Sequence, residues 1–148
     1  MIREYKESDF SAIENIYNLS KADEFSGEDF KIVPTPLGED KIMLEQFYSS
    51  KIYIYETAGI AGFIGVRENF ISWLFVHPRC RGRGIGKKLV SFMLSALSGE
   101  VSLTVARSNL IAKKLYESLG FRVQRELTSS YQENSLVVCR MVAKAKSG

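Results

Sequence analysis

Histidine, cysteine and proline are all scarce in this chain of 148 residues, and each scarcity removes a class of chemistry. The one histidine, His77, precedes Pro78 and reads as a surface residue. With no second histidine and no G-x-S-x-G elbow, zinc hydrolysis and a serine-histidine-acid triad would each hang on that single side chain. The two cysteines, Cys80 and Cys139, match no metal-ligand spacing and are too few for a disulfide framework, so they read as reduced thiols and no metal site is expected. The three prolines and eleven glycines fall as single punctuation marks, leaving no linker, repeat or low-complexity segment. No apolar run, 69–76 included, approaches the ~20 residues that cross a bilayer, and Met1-Ile2-Arg3-Glu4 has no apolar signal core. The expectation is a soluble, cytoplasmic protein with no membrane partner.

What is present suits one compact core. Hydrophobic residues make up 45% of the chain and charged residues 25%, and the length corresponds to one domain of about 150 residues, here 1–148. The net charge of +3 is too mild to argue for nucleic acid, but it is unevenly spread. Residues 77–88 carry Arg79, Arg81, Arg83, Lys87 and Lys88 with no acid, so this segment is +5 and the remainder is −2. Its ligand should be anionic.

The pattern of apolar residues gives the order β, α, α, three β, α, β, α, two β. Residues 2–5 form a short opening strand, and Ser8 or Asp9 can cap a helix carrying Phe10, Ile13, Ile16 and Tyr17 at three-and-four spacing. Residues 21–37 lose that periodicity and read as loop with some helix. A second helix over 39–48 presents Ile42, Met43, Gln46 and Phe47, and strand signals follow at 52–57, 60–67 and 70–76, separated by Ala58-Gly59 and Glu68-Asn69. A helix from Ile85 to before Gly99 and a buried-looking strand at 101–105 come next. Then a helix starting near Ser108 or Asn109, with Ile111, Leu115 and Leu119 on one side, stops at Gly120. Residues 121–127 and 136–143 close the chain as an antiparallel pair. The expected fold is α/β (α+β): a mixed, mostly antiparallel central sheet of about seven strands flanked by about four helices.

The segment Arg81-Gly82-Arg83-Gly84-Ile85-Gly86 lies between the strand ending at Val76 and the helix after it. Glycines there let backbone amides approach an anion, and the first helical turn adds unpaired N–H groups and about half a positive charge. Spacing separates this pyrophosphate seat from better-known loops. A Walker A loop needs four residues between its glycine and Gly-Lys, whereas Gly82 and Gly86 enclose three. A dinucleotide fingerprint needs a third glycine where Lys87 stands.

Val76-His77-Pro78 followed by Arg81-x-x-Gly84-x-Gly86 resembles the acetyl-CoA loop of the GNAT superfamily of N-acetyltransferases. Asn109-x-x-Ala112-x-x-x-Tyr116-x-x-x-Gly120-Phe121 is similar to that superfamily's later motif. Taken alone, Asn109 is a helix cap, Gly120 a helix stop and Tyr116 a residue at the edge of the core. The resemblance implies more. The chain would move an acetyl group from acetyl-CoA to a primary amine of a small molecule or peptide, as a monomer or homodimer that binds no nucleic acid. The strand of Leu74, Phe75 and Val76 would supply a backbone N–H for the oxyanion and splay from strand 101–105 to admit the pantetheine arm. Arg81, Gly82, Arg83, Gly84, Ile85, Gly86, Lys87 and Asn109 would hold the coenzyme, and Tyr116 would protonate the leaving thiolate as general acid.

No general base is assigned. Relatives often carry a glutamate on the strand before either motif, and both strands here lack one. Ser72 and Thr104 could hold a relay water, or Glu68, Glu100 or Glu133 could reach in from loops. Asp23, Glu24, Glu28 and Asp29 lie where the family builds its acceptor wall and suit a cationic amine such as a lysine side chain or a polyamine; a solvated loop explains them equally well. The missing strand glutamate also motivates an alternative, a non-catalytic acyl-CoA-binding module or sensor.

Overall fold

The computed structural model describes residues 1–146. Seven strands form one sheet in the order β1-β2-β3-β4-β5-β7-β6. They span Ile2–Glu4 (β1), Lys51–Glu56 (β2), Ile60–Arg67 (β3), Phe70–Val76 (β4), Glu100–Ala106 (β5), Arg122–Tyr131 (β6) and Asn134–Lys144 (β7). Four α-helices accompany them: Phe10–Ser20 (α1), Lys41–Tyr48 (α2), Ile85–Ala96 (α3) and Leu110–Ser118 (α4). All neighbouring strands are antiparallel except β4 and β5, whose parallel pairing requires the α3 crossover.

Alternation along β4 divides the core in two. Trp73 and Phe75 face α1 and α2, packing with Ile13, Ile16, Tyr17, Phe47 and Phe63. Leu74 and Val76 lie on the other face, against a core that includes Leu89, Met93, Val101, Tyr116 and Met141. A third, smaller cluster of Phe25, Ile32, Ala106 and Leu136 draws the 3-10 turn Lys21–Phe25 toward the ends of β5 and β7.

Two helices differ in facing from the periodicity. Ile42 and Ile111, expected on inward stripes, are 70% and 86% exposed. Each lies in the first turn of its helix, where the cap sets the entry angle: Asp40 accepts from the Met43 amide and Asn109 from the Ala112 amide. Asp9 precedes α1 without capping it, because its carboxylate turns back to the Lys6 amide at 2.8 Å and to Arg3 in a two-pronged ion pair at 2.8 and 2.9 Å. The closing hairpin is longer than expected. Tyr131 pairs with Asn134 across a two-residue turn in which Gln132 and Glu133 both take positive φ.

Pairing between β4 and β5 consists of one register position, Phe70 with Ser102. Asn69 pins this end, its Nδ2 donating to the carbonyls of Ser98 and Glu100. Toward Val76 the two strands part, and the resulting split is where the site forms.

Candidate active site

The segment 81–86 turns where its glycines suggest. Gly82 and Gly84 take φ of +78° and +77°, left-handed values that any L side chain resists, and Gly84 is the residue from which α3 starts. The first rung of α3 runs from the Lys88 amide to the Gly84 carbonyl at 3.0 Å, so the amides of Ile85, Gly86 and Lys87 precede the ladder. Among the described residues, no other group of the chain claims an amide of residues 81–87. The loop can therefore receive a diphosphate, with the Arg and Lys side chains adding charge.

Individual side chains in the loop have separate tasks. Ile85 is buried in the core, so only its main chain faces an anion. Gly86 packs under Leu115, which would lie 3.4 Å from a Cβ there. Arg81 pairs with Asp23 at 2.7 Å, tying the loop to the Lys21–Phe25 turn. His77 closes the strand end, its Nδ1 accepting from the Arg79 amide at 3.1 Å, which makes it a capping group. From Gly84 a groove of about 560 Å³ follows α3 past Lys87, Lys88, Ser91 and Phe92 to Lys146. Its three lysines suit the anionic far end of a coenzyme.

Across the split, Tyr116 owes its place to the end of α4. The Phe121 amide bonds the Tyr116 carbonyl at 3.1 Å and the Gly120 amide bonds the Glu117 carbonyl at 3.1 Å, with Gly120 at φ +95°. These two bonds and the Tyr116–Phe121 ring contact, at 5.8 Å and 62°, make a Schellman motif. The pattern Tyr-x-x-x-Gly-Phe is thus a helix ending whose apolar clasp is the tyrosine itself. Burial first, and the Glu24 charge second, push its phenol above the ordinary range, so it stays protonated at neutral pH.

The sites considered for a base are sorted by the fold. Glu68 and Glu100 stand at the pinned end of β4 and β5, roughly 20 Å of strand away from Val76. Ser72 is taken by Ser50 at 2.9 Å. Glu133 occupies the exposed β6–β7 turn. Glu24 is the carboxylate whose charge is felt at Tyr116, and also at Tyr17 and Tyr131.

The acidic wall expected from Asp23, Glu24, Glu28 and Asp29 is largely spent. Asp23 holds Arg81, Glu24 holds Lys21 at 3.2 Å, and Glu28 accepts from the Ser108 hydroxyl. Lys21, which the sequence did not single out, is buried with its ammonium 5.2–5.9 Å from the ring centres of Tyr17, Phe25, Phe75 and Tyr131. Asn109, expected to touch coenzyme, uses its Oδ1 on the Ala112 amide at 3.3 Å.

A profile of the acetyltransferase (GNAT) domain matches residues 48–123, just over half the chain and the part that holds the loop, the split and Tyr116. The chain belongs to the GNAT acetyltransferase family. Solved GNAT structures share its fold over nearly its whole length. A GCN5-related N-acetyltransferase from Rhodopseudomonas palustris superposes with a TM-score of 0.82 at 16% identity, covering 97% of this chain and 94% of that one. The protein yncA of Salmonella typhimurium, solved with its cofactor acetyl-CoA, gives 0.71 at 18% identity over 99% and 94%. Spermidine N-acetyltransferase from Vibrio cholerae, in complex with CoA and spermine, gives 0.72 at 19% over 98% and 95%. At these identities the likeness is one of fold. A search of curated proteins found no match. This GNAT chain is accordingly an acetyltransferase. Among the described residues, no helix is long and apolar enough to cross a membrane.

Proposed function

We propose that the protein transfers the acetyl group of acetyl-CoA to a primary amine, with the coenzyme on the residue 81–87 loop and transfer at the open end of β4. The observation that carries this reading is the row of unclaimed amides at residues 81–87, beside strands that part. Acetyl-CoA supplies a thioester carbonyl open to a nucleophile and a thiolate leaving group.

The chain's residues divide the remaining work. Main chain at Leu74 and Val76, turned away from β3 by the alternation of the ladder that pairs Phe75 with Phe63, faces the split and supplies the oxyanion donor, worth most where water is excluded. The phenol of Tyr116, kept protonated by burial, gives its proton to the departing thiolate, an anion that the same burial destabilises. Glu24, whose charge is felt at Tyr116, is the carboxylate assigned to take the proton that an ammonium must lose before it can attack. That reading answers the missing strand glutamate with a loop carboxylate.

Calorimetric titration with acetyl-CoA tests the loop, and thiol release with a panel of amines, peptides and polyamines tests the transfer. Tyr116→Phe should bind acetyl-CoA like the wild type and lose on the order of a hundredfold in kcat. A protein that binds the coenzyme tightly yet releases no thiol with any acceptor would be the binding module instead.

A further inference from the structure

The Lys21 ammonium lies in an aromatic cage. Tyr131 stands 5.2 Å from it, Phe25 5.7 Å, and Tyr17 and Phe75 5.9 Å each, with the Glu24 carboxylate at 3.2 Å on the side that opens to solvent. All four rings lie within the ~6 Å at which a ring's quadrupole attracts a cation. The hydroxyls of Tyr17 and Tyr131 are sealed in the cage wall, where they face each other. The cage adjoins the proposed transfer point. Phe75 is one of its walls, and the Ser20 hydroxyl, one residue before Lys21, donates to the Val76 carbonyl at 3.4 Å.

A position that only needed filling would take leucine or methionine at no desolvation cost, since replacing a buried ion pair with apolar groups is often neutral or stabilising. A cage of four rings and one carboxylate instead matches an alkylammonium. We propose, resting on the acetyltransferase reading, that this cage is the seat of the acceptor's ammonium and that Lys21 is its internal occupant, a competitor that the acceptor displaces. The 3-10 turn that carries Lys21 is short, and Glu24 is part-exposed, so the lysine has a way out toward water. The side chain of Lys21 also describes the ligand: a primary ammonium on an unbranched apolar stem. Glu24 disfavours a carboxylate next to that ammonium, so the α-amine of a free amino acid is excluded.

Three variants and two probes, n-butylamine and glycine, decide the matter in steady-state thiol release. Lys21→Ala should lower KM for n-butylamine at least tenfold and leave glycine a poor acceptor. Lys21→Met, which refills the cage without charge, should not lower it. Lys21→Arg keeps a cation in a larger side chain and should raise KM at least threefold with kcat retained; a merely structural lysine would be replaced by arginine without a change in KM.

A second readout needs no turnover. Trp73, the only tryptophan, lies tilted against Tyr17 with ring centroids 5.5 Å apart, so its emission should respond to n-butylammonium in Lys21→Ala and not in the wild type. An unchanged or higher KM in Lys21→Ala, no emission response in that variant, or an unchanged KM in Lys21→Arg overturns the proposal. Should Lys21→Ala fail to fold, Lys21→Arg decides alone. A wild type that releases thiol with no amine defeats the acetyltransferase reading, and the emission titration then judges the cage separately.

Discussion

Gly62 is where stability and catalysis can be perturbed by one methyl group. It pairs with Val76 across β3 and β4, and a Cβ at this position would lie 2.8 Å from the Phe75 carbonyl oxygen, with Ile85 Cγ2 and Val76 Cα each at 3.4 Å. The first contact falls about 0.6 Å short of ordinary van der Waals separation, and because the obstacle is backbone, no rotamer change can relieve it. In Gly62→Ala the end of β4 must retreat. Overpacking of this kind costs about 1–3 kcal/mol. At about 2–4 °C per kcal/mol for a chain of this size, the melting temperature should fall by about 2–12 °C. The same displacement moves the main chain that faces the split, and a misplacement approaching 1 Å costs on the order of a hundredfold, so kcat/KM should drop tenfold or more. Gly59→Ala is the control, since nothing lies within 4 Å of its Cβ position and it should match the wild type in both assays. Thermal unfolding followed by thiol release at 25 °C, with both proteins folded, separates the two effects. A wild-type melting temperature refutes the steric argument; a lowered one with unchanged turnover refutes transfer at the end of β4.

Other perturbations have definite signs. Gly120→Ala places a side chain at φ +95° and should cost about 1–2 kcal/mol in chemical unfolding, with a loss of turnover at saturating coenzyme as the Tyr116 clasp loosens. Asp23→Asn frees Arg81 from an exposed pair, so the melting temperature should hold within about 2 °C while acetyl-CoA binds two- to tenfold tighter by calorimetry. Burial raises the phenols of Tyr17 and Tyr116, so the folded state keeps protons that the unfolded chain gives up near pH 10. Stability should be full below about pH 10 and decline above it, and Tyr17→Phe should make that decline shallower. The opposite sign holds in acid: the Arg3 guanidinium holds Asp9 and Glu56 below the usual carboxylate range, so stability should fall as pH drops through that range, and Arg3→Met should flatten the slope.

Local chemistry made part of this molecule legible in advance. The bounds of β3 and β4 follow from Gly59 and Glu68-Asn69, which break the apolar runs, and the loop and α4 follow from glycines whose φ values only glycine adopts readily. Tyr116 could be placed because its Schellman partners are close in sequence. The cage could not, since it assembles Tyr17 from α1, Lys21 and Phe25 from an aperiodic turn, Phe75 from β4 and Tyr131 from the end of β6. Glu24 was hidden for the same reason: four acids in one loop look alike until the fold pairs Asp23 with Arg81, Glu24 with Lys21 and Glu28 with Ser108. Ile111 misled in the other direction, because periodicity does not register the angle at which a capped first turn leaves the sheet.

With β4 and β5 meeting at one rung, β1 to β4 and β5 to β7 are otherwise joined through the core they share beneath α3. A donor lying in the gap becomes a splint between them, and deuterium uptake along both strands should fall together when acetyl-CoA is added. The acceptor's side of the gap then gains a rigid back wall only after the splint is in place, which makes donor-first the expected order of binding.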